Sequence, residues 1–155
     1  MADQPARPGT TVLAFDFGEK RIGVAVGDLE VRIAHPLATV AAEDNATRFA
    51  EIGKLIAEWR PSRLVVGLPM HADGTEHEVS RLARRFAQRL EGRFGVPASL
   101  MDERLTSRAA ESRLRESGAG SRAVENALDA AAAREILEAW FDSQAAKPGK
   151  RDALS

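Results

Sequence analysis

A single α/β domain, with helices on both faces of a mixed five-stranded sheet, is the fold class predicted by this 155-residue sequence. Three observations predict it. Two short apolar runs, TVLAFDFG and IGVAVGD, flank the polar turn Glu19-Lys20-Arg21 and read as an opening hairpin. Segments of strand and helix character then alternate, as βαβ units require. No internal repeat or linker divides residues 11–142, and a chain of this length suits one hydrophobic core.

The elements follow in order. After the hairpin, VRIAHPLATV supplies a third strand, interrupted by Pro36. From Asn45 to Trp59 the apolar residues Phe49, Ile52, Ile56 and Trp59 recur at helical spacing, with Leu55 widening the stripe, and Pro61 ends the helix. RLVVGL reads as a buried strand, and LPMHADGT as a loop with an Asp73-Gly74 turn. Glu76 to Phe94 is amphipathic, with Val79, Leu82, Phe86 and Leu90 on its apolar stripe. PASLMDE is the fifth strand. Thr106 or Ser107 caps a helix that runs to Ser117-Gly118, and a last helix spans roughly Ala123 to Phe141. Residues 1–10 and 143–155 read as disordered tails, because neither can contribute much to a core.

Composition excludes several functions. Apolar residues make up 44% and charged residues 29%, the balance of a globular domain. No apolar run approaches the roughly 20 residues that span a membrane. The polar, Pro-rich start has no secretory signal, so the cytoplasm is the expected compartment. With no cysteine, disulfides, thiol nucleophiles and Cys-bound zinc are excluded. His35, His71 and His77 fall in no metal-ligand spacing and read as loop or surface residues. A net charge of −1 argues against a non-specific nucleic-acid coat protein, but it leaves open an enzyme that holds nucleic acid with a local basic patch and a metal ion. The first strand is followed by neither GxGxxG nor GxxxxGK[ST], so dinucleotide and P-loop folds match poorly.

Three acidic positions stand out. Asp16 shares a strand face with Val12 and Ala14, where an unpaired carboxylate costs several kcal/mol, so it is expected to be paired, neutral or metal-bound. Its ordinary alternative is a strand-end turn with Gly18. Asp102 and Glu103 end the fifth strand, where open α/β sheets bind ligands, although acids before a helix also complement its dipole. Asp129 heads a helical face otherwise made of Ala132, Ala133, Ile136 and Trp140. Its alternative is a capping position with Asn126 as N-cap. Convergence of the three would make an oxygen-rich cluster suited to Mg²⁺ or Mn²⁺ and to phosphodiester hydrolysis. Lys20, Arg21 and Arg104 flank these acids and are the expected phosphate contacts. Arg81, Arg84, Arg85, Arg89 and Arg93 lie opposite an apolar stripe and read first as a solvated face.

Four blocks in order, LAFDFGEKRIGVAVGD, VVGLPMHADGTE, FGVPASLMDERLTS and LDAAAAREILEAWFD, resemble the YqgF (RuvX) family over about Val12 to Asp142. That family is associated with pre-16S rRNA nucleases and Holliday junction resolvases. The resemblance implies an RNase H-like fold with Asp16, Glu103 and Asp129 as catalytic carboxylates holding a divalent metal. It also implies trimming of the 5′ end of the small-subunit rRNA precursor. The chain departs from the family pattern at Glu19, where Thr is common, and before Asp129, where a Lys- and Arg-rich segment is replaced by one with Arg122 against Glu125.

Two other functions compete. A sugar-kinase or actin-like ATPase needs a second domain, for which the chain has no room. A non-catalytic RNA- or ribosome-binding factor would need the fold but not the carboxylates. The sequence decides neither oligomeric state nor the role of Asp102.

Overall fold

Alternation in the first apolar run produces β1 (Thr11–Asp16), and its antiparallel hairpin partner is β2 (Ile22–Asp28). A third strand, β3 (Ile33–Val40), pairs antiparallel with β2. Proline has no N–H for a ladder and is tolerated on an edge strand or at a bulge. Both apply to Pro36: β3 lies at the sheet edge, and the register shifts between Val24 and Ala25, opposite this proline. The strands β4 (Arg63–Leu68) and β5 (Ala98–Asp102) add in parallel to β1, giving the order β3-β2-β1-β4-β5. This is the expected five-stranded mixed sheet. The computed structural model describes residues 9–71, 73–105 and 122–145. The helix expected after Thr106 lies outside them.

The helix α1 (Asn45–Trp59) has the bounds its periodicity predicts, because local chemistry stops it at both ends. The Asp44 carboxylate accepts from the Thr47 N–H at 2.8 Å, and Arg60 adopts a left-handed conformation and donates its N–H to Ile56 O. The helix α2 (Glu78–Phe94) starts two residues later than expected, because His77 is its N-cap. His77 Nδ1 accepts from Val79 N–H while Ser80 Oγ accepts from His77 N–H, and Gly95 closes the other end at φ 70°. The helix α3 (Arg122–Ala145) extends into the segment expected to be a tail. Glu103–Leu105 form one 3₁₀ turn after β5.

Strand alternation divides the apolar residues into two cores. Leu13, Phe15, Ile22, Val24, Leu64 and Val66 face α1 and α2, where Phe49, Ile52, Phe86 and Leu90 meet them. Val12, Ala14, Ala25, Val65 and Met101 face α3, against Ala133, Ile136, Leu137, Trp140 and Phe141. Among the described residues, no helix is long and apolar enough to cross a membrane.

This two-core division predicts a contrast. Leu64→Ala opens a cavity in the fully buried first core and should cost about 2–5 kcal/mol. Ile33→Ala, at an exposed position on the edge strand, should change stability by under about 0.5 kcal/mol. Urea unfolding monitored by circular dichroism measures both.

Candidate active site

The site is built around the end of β1. Asp16 is half-buried, and alternation with Val12 and Ala14 puts it on the α3 face. Its register partner on β2 is Gly23. On the other side the pairing of Phe15 with Val66, carried one step further, sets Gly67 of β4 beside it. Asp16 therefore stands between two Cα atoms that carry no side chain.

Both glycines leave room for specific neighbours. A Cβ at Gly23 would lie 1.9 Å from the backbone oxygen of Asp129. A Cβ at Gly67 would lie 2.5 Å from Glu103 Oε2 and 2.5 Å from Ile136 Cδ1. Gly23 thus lets the backbone of α3 rest directly on the sheet beside Asp16, and Gly67 admits the Glu103 side chain. Glycine inside a strand often marks such a close approach. Farther along β2, Gly27 does the same for Leu137 and Phe141. Thr39 Oγ1 ties the helix to the edge strand by donating to Asn126 O at 2.7 Å.

The three carboxylates singled out in the sequence are thereby brought to one face and one end of the sheet. Glu103 is 9% exposed, in the turn two residues beyond Met101, which faces the same core. Asp129 lies two turns inside α3, because the helix begins at Arg122. The capping alternative, with Asn126 as N-cap, does not hold. The Asp129 carboxylate stands on the helix face that carries Ala133, Ile136 and Trp140 into the second core.

As placed, the carboxylates do not close into a ready-made ion shell. Among the described residues, no three His, Asp or Glu side chains are gathered closely enough to hold a metal. A physical reason is visible at Asp129. Its Oδ2 accepts from Arg21 Nε at 2.7 Å, and Arg21 also reaches Glu125 at 3.4 Å. The Asp129 carboxylate holds the Arg21 guanidinium above its ordinary pKa, first by this hydrogen bond and then by charge.

The expected phosphate contacts divide in their surroundings. Lys20 is exposed in the turn after β1. Arg21 spans from that turn to α3. Arg104 is held by Asp102, with Nε 3.1 and 3.0 Å from the two carboxylate oxygens and Nη2 2.6 Å from Oδ2. The same contact holds the Asp102 carboxyl below the usual carboxylate range. Asp102 follows Met101 and pairs with Leu68, so alternation turns it to the α2 face, away from Asp16. It is a partner of Arg104 rather than a fourth member of the cluster.

A residue that pattern reading passed over is Arg48. It lies on the apolar side of α1, four residues before Ile52, and is only 4% exposed. Its Nε donates to Ala42 O at 2.6 Å, and its Nη2 donates to Gly18 O at 2.8 Å and to Glu19 O. Burial pushes its guanidinium below the ordinary value. Arg48 braces from beneath the loop that carries Lys20 and Arg21. A cation on an apolar helix stripe was the available signal, as it was for Asp129.

Comparison with known proteins agrees with this architecture. The model of the RuvX family, described as Holliday junction resolvase, matches residues 10–143. A Dechloromonas aromatica protein named "Putative pre-16S rRNA nuclease" is 62% identical over 133 residues, covering 86% of this chain and 91% of its own. A protein of the same name from Nitrosomonas europaea is 52% identical over 142 residues, covering 92% and 96%. Among solved structures, Thermus thermophilus RuvC in complex with a Holliday junction substrate matches with a TM-score of 0.57 at 17% identity, over 89% of this chain and 97% of that one. That likeness establishes the RNase H-like fold.

The close approach at Gly23 yields a prediction. Gly23→Ala should destabilise the protein by at least about 1–3 kcal/mol, because the neighbouring atom is backbone and cannot rotate away. The urea midpoint measures the loss, and an unchanged midpoint would contradict the packing of α3 described here.

Proposed function

This chain belongs to the RuvX family, and from that premise we propose that it is a divalent-metal-dependent nuclease processing the 5′ end of pre-16S rRNA in the cytoplasm. The observation that carries the proposal is Asp16 at the end of the central strand, with Glu103 and Asp129 admitted on either side by Gly67 and Gly23.

The donor set fits a hard cation. All three groups are carboxylates, and the bare Cα atoms of Gly23 and Gly67 let the backbone of Asp129 and the side chain of Glu103 approach the strand on either side of Asp16. Asp16, Glu103 and Asp129 would hold Mg²⁺ or Mn²⁺ through oxygen. When bound, the cation supplies Lewis-acid stabilisation of charge on the phosphoryl group. The chain's own residues do the rest. Buried Glu103 presents its carboxylate from a position shielded from water. Arg21 holds Asp129 in place; Asp129 would hold the cation, and Arg21 would hold a phosphate. Lys20, Arg21 and Arg104 bind and orient phosphates flanking the scissile bond, which places the phosphorus for in-line attack by water. Hydrolysis forms one P–O bond to the water oxygen and breaks one ester P–O bond.

The alternatives are a DNA-junction resolvase and a ribosome-binding factor without catalysis. Retention of all three carboxylates around one strand end supports chemistry over binding alone, and the curated relatives favour RNA over branched DNA.

Cleavage by purified protein with Mn²⁺ or Mg²⁺ tests the proposal, using a precursor of the 16S rRNA 5′ end beside a four-way DNA junction. Wild type should cut the RNA. Asp16→Asn should lower the rate by about 100-fold or more while keeping the circular dichroism spectrum of the wild type. Full activity of Asp16→Asn would show the assigned site to be wrong, and an inert wild type would favour the binding factor.

A further inference from the structure

On the opposite face from the carboxylates, a cleft of about 340 Å³ opens between α1 and α2 beside the turn that follows β1. Phe17, the residue after Asp16, forms part of its wall, and Phe86 packs against that ring at 5.1 Å between centroids. Three guanidinium groups line it, from Arg48, Arg85 and Arg89, against the single carboxylate of Glu19. For a protein of net charge −1 this is a concentrated positive patch. Apolar walls around one sign of charge focus its field.

Of the five arginines of α2, Arg93 lies over the Phe49 ring, and the other four fall into two kinds. Arg81 is paired with Glu78, and Arg84 with Glu76 at 2.8 Å from its Nε. Arg85 and Arg89 are exposed and, among the described residues, have no carboxylate within ion-pair distance. They stand four residues apart on one helix, a like-charge arrangement that weakens a helix unless an anion relieves it. The buried Arg48, fixed by three carbonyls, keeps the cleft positive whatever the exposed pair does.

We propose that this cleft binds the sugar-phosphate backbone of a single-stranded nucleic acid, with Arg85 and Arg89 each engaging a phosphate on the strand leaving the carboxylate site. The inference rests on the nuclease reading and extends it. The strand passes from Asp16 over the β1–β2 turn, where Lys20 is exposed, and descends between α1 and α2. The contacts are to phosphate, so they hold the strand without reading its sequence.

Fluorescence anisotropy of a labelled single-stranded RNA, titrated with the Asp16→Asn protein without divalent cation, tests this between about 50 and 200 mM salt. Each phosphate contact to a single strand contributes about 0.7 to the slope of log affinity against log salt. Arg85→Ala/Arg89→Ala should therefore weaken binding and reduce the slope by about 1.4. Arg81→Ala/Arg84→Ala removes the same charge from paired positions and should leave the slope unchanged. An unchanged slope in the first variant, an equal loss in the second, or no RNA binding by the parent overturns the proposal. So does a cleft that binds an acidic peptide but not RNA. Cleavage of the same RNA by wild type separates the two claims. Cutting with an unaltered slope refutes the cleft alone, whereas no cutting with the expected slope change refutes the nuclease reading alone.

Discussion

The contact between the backbone of Asp129 in α3 and the bare Cα of Gly23 in β2 sets the geometry of the whole α3 face. With a side chain at position 23 the helix would have to rise off the sheet, since its carbonyl oxygen lies where a Cβ would be. Because it does not rise, Ile136 can reach Gly67, Leu137 and Phe141 can reach Gly27, and the second core closes. The same contact brings an acidic residue two turns inside a helix to the level of Asp16. Packing and placement of the carboxylates are one feature, and a change at Gly23 should affect both.

Electrostatics then holds the loop between the strands. The β1–β2 turn carries Lys20 and Arg21 and is tethered twice. Arg21 reaches across to Asp129, and Arg48 reaches up from α1 to the carbonyls of Gly18 and Glu19. A buried arginine satisfied by carbonyls rather than by a carboxylate retains its full charge. That charge sits beneath the turn and lines the α1–α2 cleft, on the sheet face opposite the carboxylates.

Much of this fold was legible in the residues. Helical periodicity from Asn45 and the stop at Pro61 delimit α1, and alternation puts Asp16 on the face of Val12 and Ala14. The parts that were not legible depend on contacts distant in sequence. Glu76 carries a helical pattern but pairs with Arg84 while His77 caps the helix. Asn126 looks like a cap from its neighbours alone, yet the helix begins a turn earlier and Thr39 of the edge strand binds the Asn126 carbonyl. Asp102 and Glu103 are adjacent in sequence, but one ends a strand facing α2 and the other turns beneath Gly67. The roles of Gly23 and Gly67 appear only when the facing element is known, although glycine within a strand gives notice of one.

The central claim is that Asp16, Glu103 and Asp129 form one cation site. Isothermal titration calorimetry with Mn²⁺ tests it on wild type and on Asp16→Asn, Glu103→Gln and Asp129→Asn separately. Saturable binding by wild type, weakened by each of the three substitutions and unaffected by Asp102→Asn, is the result predicted here. Mn²⁺ binding that survives all three unchanged would contradict it.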